Sequence, residues 1–129
     1  MNPHEQAFVK AFIPLDRQDR FMVALAIPKK REVFHRELHH PKANFLLSKY
    51  IVQIVPSQHY TRILVPRLRG MGAGDNCWVF GNYIDSREMK LEDALGELIG
   101  LRSGTIVSCV PGKLAFFENE DERVILHRP

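Results

Sequence analysis

The chain lacks any apolar run near the ~20 residues that a membrane-spanning helix requires. Its first residues, MNPHEQAFVK, lack the basic-then-apolar layout of a secretory signal. Together these absences make a cytoplasmic location the expectation, with no membrane among the partners. Cysteine is scarce. Cys77 and Cys109 sit inside the apolar runs NCWVF and IVSCV. In a reducing compartment two such thiols are expected as buried packing groups rather than as a disulfide. There is no Gly/Ser-rich linker, no low-complexity tract and no internal repeat. A single domain over residues 1–129 is therefore expected, and a chain of this length buries roughly 65–70% of its unfolded surface.

Several chemical signatures are missing as well. No H-E-x-x-H, G-K-[ST], G-x-S-x-G or D-x-D-x-D-G pattern occurs, so the local motifs of zincins, P-loops, serine hydrolases and EF-hands are absent. No cofactor is expected.

What is present is a charge split. Residues 1–69 hold 12 Lys/Arg against 5 Asp/Glu, and residues 70–129 hold 6 against 10. Such asymmetry suggests a charged partner or self-complementary assembly. The basic half reads as mainly helical and the acidic half as strand, helix and meander.

Residues 4–13 place Phe8, Val9, Phe12 and Ile13 at helical spacing, and Pro14 stops the run. Asp16 is the expected N-cap of a second helix over 17–26, with Phe21, Ala24 and Leu25 inward. Pro28 opens a third helix, KKREVFHRELHH, with Val33, Phe34 and Leu38 toward the core and Pro41 closing it. YIVQIV reads as a short strand. SQHYTRILVPRLRGMG reads as a helix broken or kinked at Pro66, or else as a strand TRILV pairing back onto YIVQIV. The helical reading is preferred, with Gly70 or Gly72 as its cap.

NCWVFGNY is a strand by composition. Leu91, Ala94, Leu95, Leu98 and Ile99 form the cleanest helical stripe, over residues 90–99, with Asp85 and Glu88 as a capping box if the helix starts early. GTIVSCV, a type II turn at Pro111-Gly112, KLAFFE, the polar turn NEDE and RVILH complete a three-stranded meander. The class is α+β, with short N-terminal helices packed on a small, mostly antiparallel sheet. Phe116 and Phe117 point to opposite faces of their strand, so one is core and the other is covered by a helix or exposed. GAGDNCWVF and SCVPGKLAFFENE are similar in flavour to segments of small bacterial proteins; no family activity attaches to them.

Candidate functional residues fall into groups. His35 and His39 stand i, i+4 on the third helix, with His40 and Glu32 or Glu37 near. That is half of a metal site, opposed by the cation of Arg36 beside His35; a solvated helix end is the plainer account. Lys29, Lys30, Arg31 and Arg36 form one basic group and Arg62, Arg67 and Arg69 a second. They are expected to bind a charged partner, with phosphates of nucleic acid as an alternative. The run Gly70-Met71-Gly72-Ala73-Gly74 precedes a strand instead of a helix, so a turn is expected there, not a phosphate loop. Cys109, with His127 as a conceivable base, and Ser108 are weak nucleophile candidates. Glu118, Glu120, Asp121 and Glu122 read as a solvated hairpin turn.

The reading that best fits is a non-enzymatic binding or regulatory module acting through charged surfaces, with a protein partner or a second copy as its ligand. The alternatives are a nucleic-acid binder using the basic half and a metal-dependent enzyme built on His35 and His39.

Overall fold

The computed structural model describes residues 1–39, 46–55, 57 and 60–129. Pro41 and His40, assigned above to the end of the third helix, lie outside the described residues. Five helices are described, α1 (Pro3–Phe12), α2 (Leu15–Ala26), α3 (Arg31–His39), α4 (Thr61–Gly70) and α5 (Leu91–Leu98). Six strands accompany them, β1 (Ile51–Gln53), β2 (Asn76–Gly81), β3 (Arg87–Lys90), β4 (Thr105–Val110), β5 (Leu114–Glu118) and β6 (Arg123–His127). The strands form one antiparallel sheet in the order β1-β6-β5-β4-β2-β3. The α+β class follows, with α1–α3 preceding every strand.

Side chains alternate across the strands, and both faces are dry. Phe80, Ile106, Phe117 and Val124 pack under α1–α3. Val79, Val107, Phe116 and Ile125 pack under α4 and α5. Phe116 and Phe117 are thus both core, one on each face. A sheet sandwiched in this way needs apolar residues at consecutive positions, and TIVSCV and LAFFE supply them.

The local chemistry explains most boundaries. The Asn2 side chain accepts from the His4 N–H at 2.7 Å and Pro3 occupies the first turn, which starts α1. α2 begins at Leu15 behind Pro14 with no side-chain cap, so Asp16 lies in its first turn and is not its N-cap. There its carboxylate still suits the positive helix end. Pro28–Lys30 is a single 3-10 turn ahead of α3. α4 runs through Pro66, which is exposed and costs one backbone bond without ending the helix. Gly72, at φ +116°, closes α4, with the Ala73 N–H bonded to Leu68 O at 3.0 Å.

Strand β3 overturns the capping box proposed at Asp85 and Glu88. Glu88 sits in β3, opposite Trp78. Asp85 turns back to accept the Gly81 N–H at 3.1 Å. α5 starts only at Leu91, so Asp85 is too far upstream to cap it. Gly81 itself adopts φ +131°, and a Cβ there would lie 2.7 Å from Gly104 O, so this turn into the β2–β3 loop requires glycine. The meander matches its expected layout, with the Lys113 N–H closing the Pro111-Gly112 turn onto Val110 O at 3.0 Å.

Candidate functional site

The basic residues do not share a surface. Lys29, Lys30 and Arg36 are exposed around the start and middle of α3, on the α1–α3 side of the sheet. Arg62, Arg67 and Arg69 belong to α4, which packs on the other side. Arg62 lies over the Tyr60 ring at 5.5 Å. Arg69 pairs with Glu92 and stands 3.6 Å from Asp75. The split in sequence is therefore not a split in space, because cations of the first half meet carboxylates of the second.

Arg31 shows this most fully. Its guanidinium takes Asp85 through Nε at 2.9 Å and Nη2 at 2.7 Å. It takes Glu5 through Nη1 at 2.8 Å and Nη2 at 3.1 Å, and Nη1 also donates to Leu25 O at 2.8 Å. All five guanidinium protons find acceptors, as the fork geometry of arginine permits. The indole N–H of Trp78 donates to Glu5 Oε2 at 2.8 Å. Glu5 is 1% exposed, and these donors offset the cost of its burial. Burial alone would raise the Asp85 pKa. The neighbouring His35 and Arg31 and the Gly81 N–H instead hold it well below the usual carboxylate range. The hydrogen bonds that Arg31 donates to Asp85 raise its pKa, with those to Glu5 adding to them against burial. One cation thus ties α1, α3 and the β2–β3 loop together, and its donors are spent inside the protein.

His35 faces this cluster. Its Nε2 stands 3.3 Å from Asp85 Oδ2, near enough for attraction but without a directed hydrogen bond. His39 is exposed at the end of α3. Among the described residues no group of three or more His, Cys, Asp or Glu is arranged to hold a metal ion. The pair remains two ligands one helical turn apart, one of them engaged with Asp85.

A second polar cluster lies at the start of α1. His4 Nδ1 is 2.8 Å from Ser108 Oγ, although the two residues are 104 positions apart. Ser108 is 1% exposed and lies on β4 opposite Trp78. Burial lowers the His4 pKa, and Glu88 partly offsets this. Beside them is a cleft of about 340 Å³ lined by Asn2, Pro3, His4, Trp78, Glu88 and Pro111 among others. Nothing in the local sequence marks this cluster, since a lone His after Pro3 and a lone Ser in a strand are ordinary.

The thiols and the acidic turn fill structural places. Cys77 and Cys109 are free and buried. Burial pushes both up to about 12, which leaves them un-ionised near neutrality. β5 separates β4 from β6, so His127 pairs with Leu114 and does not reach Cys109. Glu118 is buried, bound to Arg123 at 2.5 Å and to the N–H groups of Gly100 and Arg102. It anchors two loops and is not a solvated turn residue. The Asn119 side chain accepts from the Asp121 and Glu122 N–H groups, shaping the turn.

The apolar surface completes the inventory. Between α2 and α3 runs a groove of about 370 Å³ lined by Asp19, Arg20, Val23, Ala24, Lys30 and Val33. Val23 is 47% exposed and Ile27, just beyond, 39%. No helix among the described residues is long and apolar enough to cross a membrane.

The fold and these clusters define a sheet sandwiched between helices, with one recess at the start of α1 and another between α2 and α3. No protein-family model matches the chain, and neither a curated protein nor a solved structure does.

Proposed function

We propose that this protein is a non-enzymatic binding module whose working surface is the α2–α3 face, and that it takes an acidic, amphipathic segment of a partner protein. One observation carries the reading. Exposed Val23 and Ile27 lie beside Lys29 and Lys30, which pair with no carboxylate among the described residues. Apolar side chains of a partner would fill the groove, and its carboxylates would meet the lysines at the rim. Asp19, and Glu37 through its 3.0 Å pair with Arg20, moderate the positive field there. That favours short-range recognition over long-range steering.

Nucleic acid is the weaker reading, because the two basic groups lie on opposite sides of the sheet and Arg31 has no donor left for a phosphate. The test uses a fluorescent synthetic helix with leucines at i, i+3, i+4 and i+7 and glutamates on its flanks. Saturable binding is expected, weakened about tenfold in Lys29→Glu/Lys30→Glu and in Val23→Asp. Equal binding by wild type and both variants removes the proposal. Salt-sensitive binding to random oligonucleotides, lost in the lysine variant while the peptide fails to bind, replaces it with the nucleic-acid reading.

A further inference from the structure

The cleft at the start of α1 is separate from the α2–α3 groove and has its own chemistry. Trp78 is the chain's one tryptophan. Its ring is held in place because its N–H is bonded to Glu5, which is itself clamped by Arg31. Trp78 and Glu88 face each other across the β2–β3 pair, which puts a carboxylate on the same side of the sheet as the ring. Glu88 is exposed and pairs with no cation among the described residues.

His4 does not supply a counter-charge. The buried Ser108 hydroxyl has His4 Nδ1 as its hydrogen-bond partner. One hydrogen bond joins Nδ1 and the hydroxyl, and which atom donates depends on the ring's tautomer. Burial lowers the ring's pKa and so favours its neutral form. The helix start is not an anion cradle either, since Pro3 has no N–H and Asn2 already caps that of His4. What the cleft offers is an indole and a carboxylate with no ion-pair partner among the described residues.

We propose that this cleft binds a small organic cation, an alkylated ammonium, seated on the Trp78 ring and against the Glu88 carboxylate. Ring quadrupoles attract such cations, and alkyl groups that weaken hydration make the transfer from water easier. A bare metal ion is disfavoured, because hard cations need several oxygen ligands and Glu88 offers one carboxylate. The volume of about 340 Å³ suits a small ligand.

Trp78 reports on this site alone, as no other tryptophan contributes to the fluorescence. Tetramethylammonium chloride is titrated into the intact protein, with sodium chloride at equal ionic strength as reference. A saturable change in Trp78 emission is expected that sodium chloride does not produce. Glu88→Gln, with unchanged thermal melting, is expected to weaken it roughly three- to tenfold. Val23→Asp, on the other recess, is expected to leave it as it is. An emission curve matching that of sodium chloride overturns the proposal, and so does equal affinity in Glu88→Gln.

Discussion

Under α1–α3 the sheet presents Phe80, Ile106 and Phe117 to the rings of Phe8, Phe12, Phe21 and Phe34. Under α4 and α5 it presents Val79, Val107 and Phe116 to Leu64, Leu68, Leu91, Leu95 and Leu98. The same strands serve both faces, yet the two are stabilised differently. On the first, Phe80 meets Phe8 edge-on at 5.6 Å and stacks on Phe34 at 6.0 Å, geometries that depend on orientation. On the second, aliphatic side chains fill space with little orientation dependence. The Arg31 network and the recesses at the start of α1 and between α2 and α3 belong to the aromatic side, whereas the buried Glu118–Arg123 pair sits by the end of α5 on the other. This difference teaches that the two faces depend on side-chain orientation to different degrees. One face is organised around a single arginine and a set of oriented rings, while the other is an aliphatic core with its ion pairs, Arg69–Glu92 and Glu118–Arg123, at the edges.

The largest expected effect tests whether the ion network holds the aromatic side together. Arg31→Met leaves the carboxylates of Glu5 and Asp85 without their cation. A loss of about 3–5 kcal/mol is expected in urea unfolding. Adding Glu5→Gln should recover part of it, since the stranded charge is what costs most. A loss in Arg31→Met of no more than about 1 kcal/mol would mean that the rings alone suffice. On the other face, Leu95→Ala is expected to cost about 2–5 kcal/mol through cavity formation. No change of charge elsewhere should restore it. If a partner substitution on α1 or α3 does rescue it, the two faces are not independent.

The same contrast explains what could be read in advance. The α5 stripe and the meander are local patterns, with repeats of three to four or of two residues, and they lie where periodicity places them. The α2 core residues Phe21, Ala24 and Leu25 follow the same logic. The ion network does not. Arg31 is 26 positions from Glu5 and 54 from Asp85, so no window of sequence contains it, and Arg31 looks like any member of a basic run. Strand β3 was hidden for another reason. REMK carries one buried side chain, Met89, and as an edge strand it lacks the apolar alternation that marks an inner one. Glu88 therefore looked like a helix cap. The His4–Ser108 contact spans 104 positions and carries no motif at all.

A smaller effect is expected at Pro66 in α4. The helix continues through it, and the ring is exposed, so no core contact depends on it. Pro66→Ala restores a helical N–H and improves propensity, against a gain in freedom of the unfolded chain. The balance favours the variant by about 1 kcal/mol, seen as a rise in melting temperature of a few degrees. A fall in melting temperature would show that α4 depends on the proline's rigidity to sit on its aliphatic face.

The smallest effect concerns the aromatic side's cleft and is read from pH. Burial holds the folded His4 pKa below 6.5. As pH falls through that value the unfolded chain takes up a proton before the folded one does. Stability contributed by the neutral ring is therefore complete above pH 6.5 and declines as pH drops toward the folded pKa. Asp85 acts in the same direction at lower pH. Its folded pKa lies below 3.8, so its contribution is complete above that value and is lost as pH falls beneath it. The two separate on the pH axis. His4→Gln, whose amide can keep a bond to Ser108, should flatten the wild-type decline that sets in below pH 6.5 and leave the acid limb intact. If both proteins lose stability equally over that range, the ring titrates as it does in water. Burial then does not hold it neutral, and the cleft would carry a positive charge in mild acid that competes with any cation brought to Glu88.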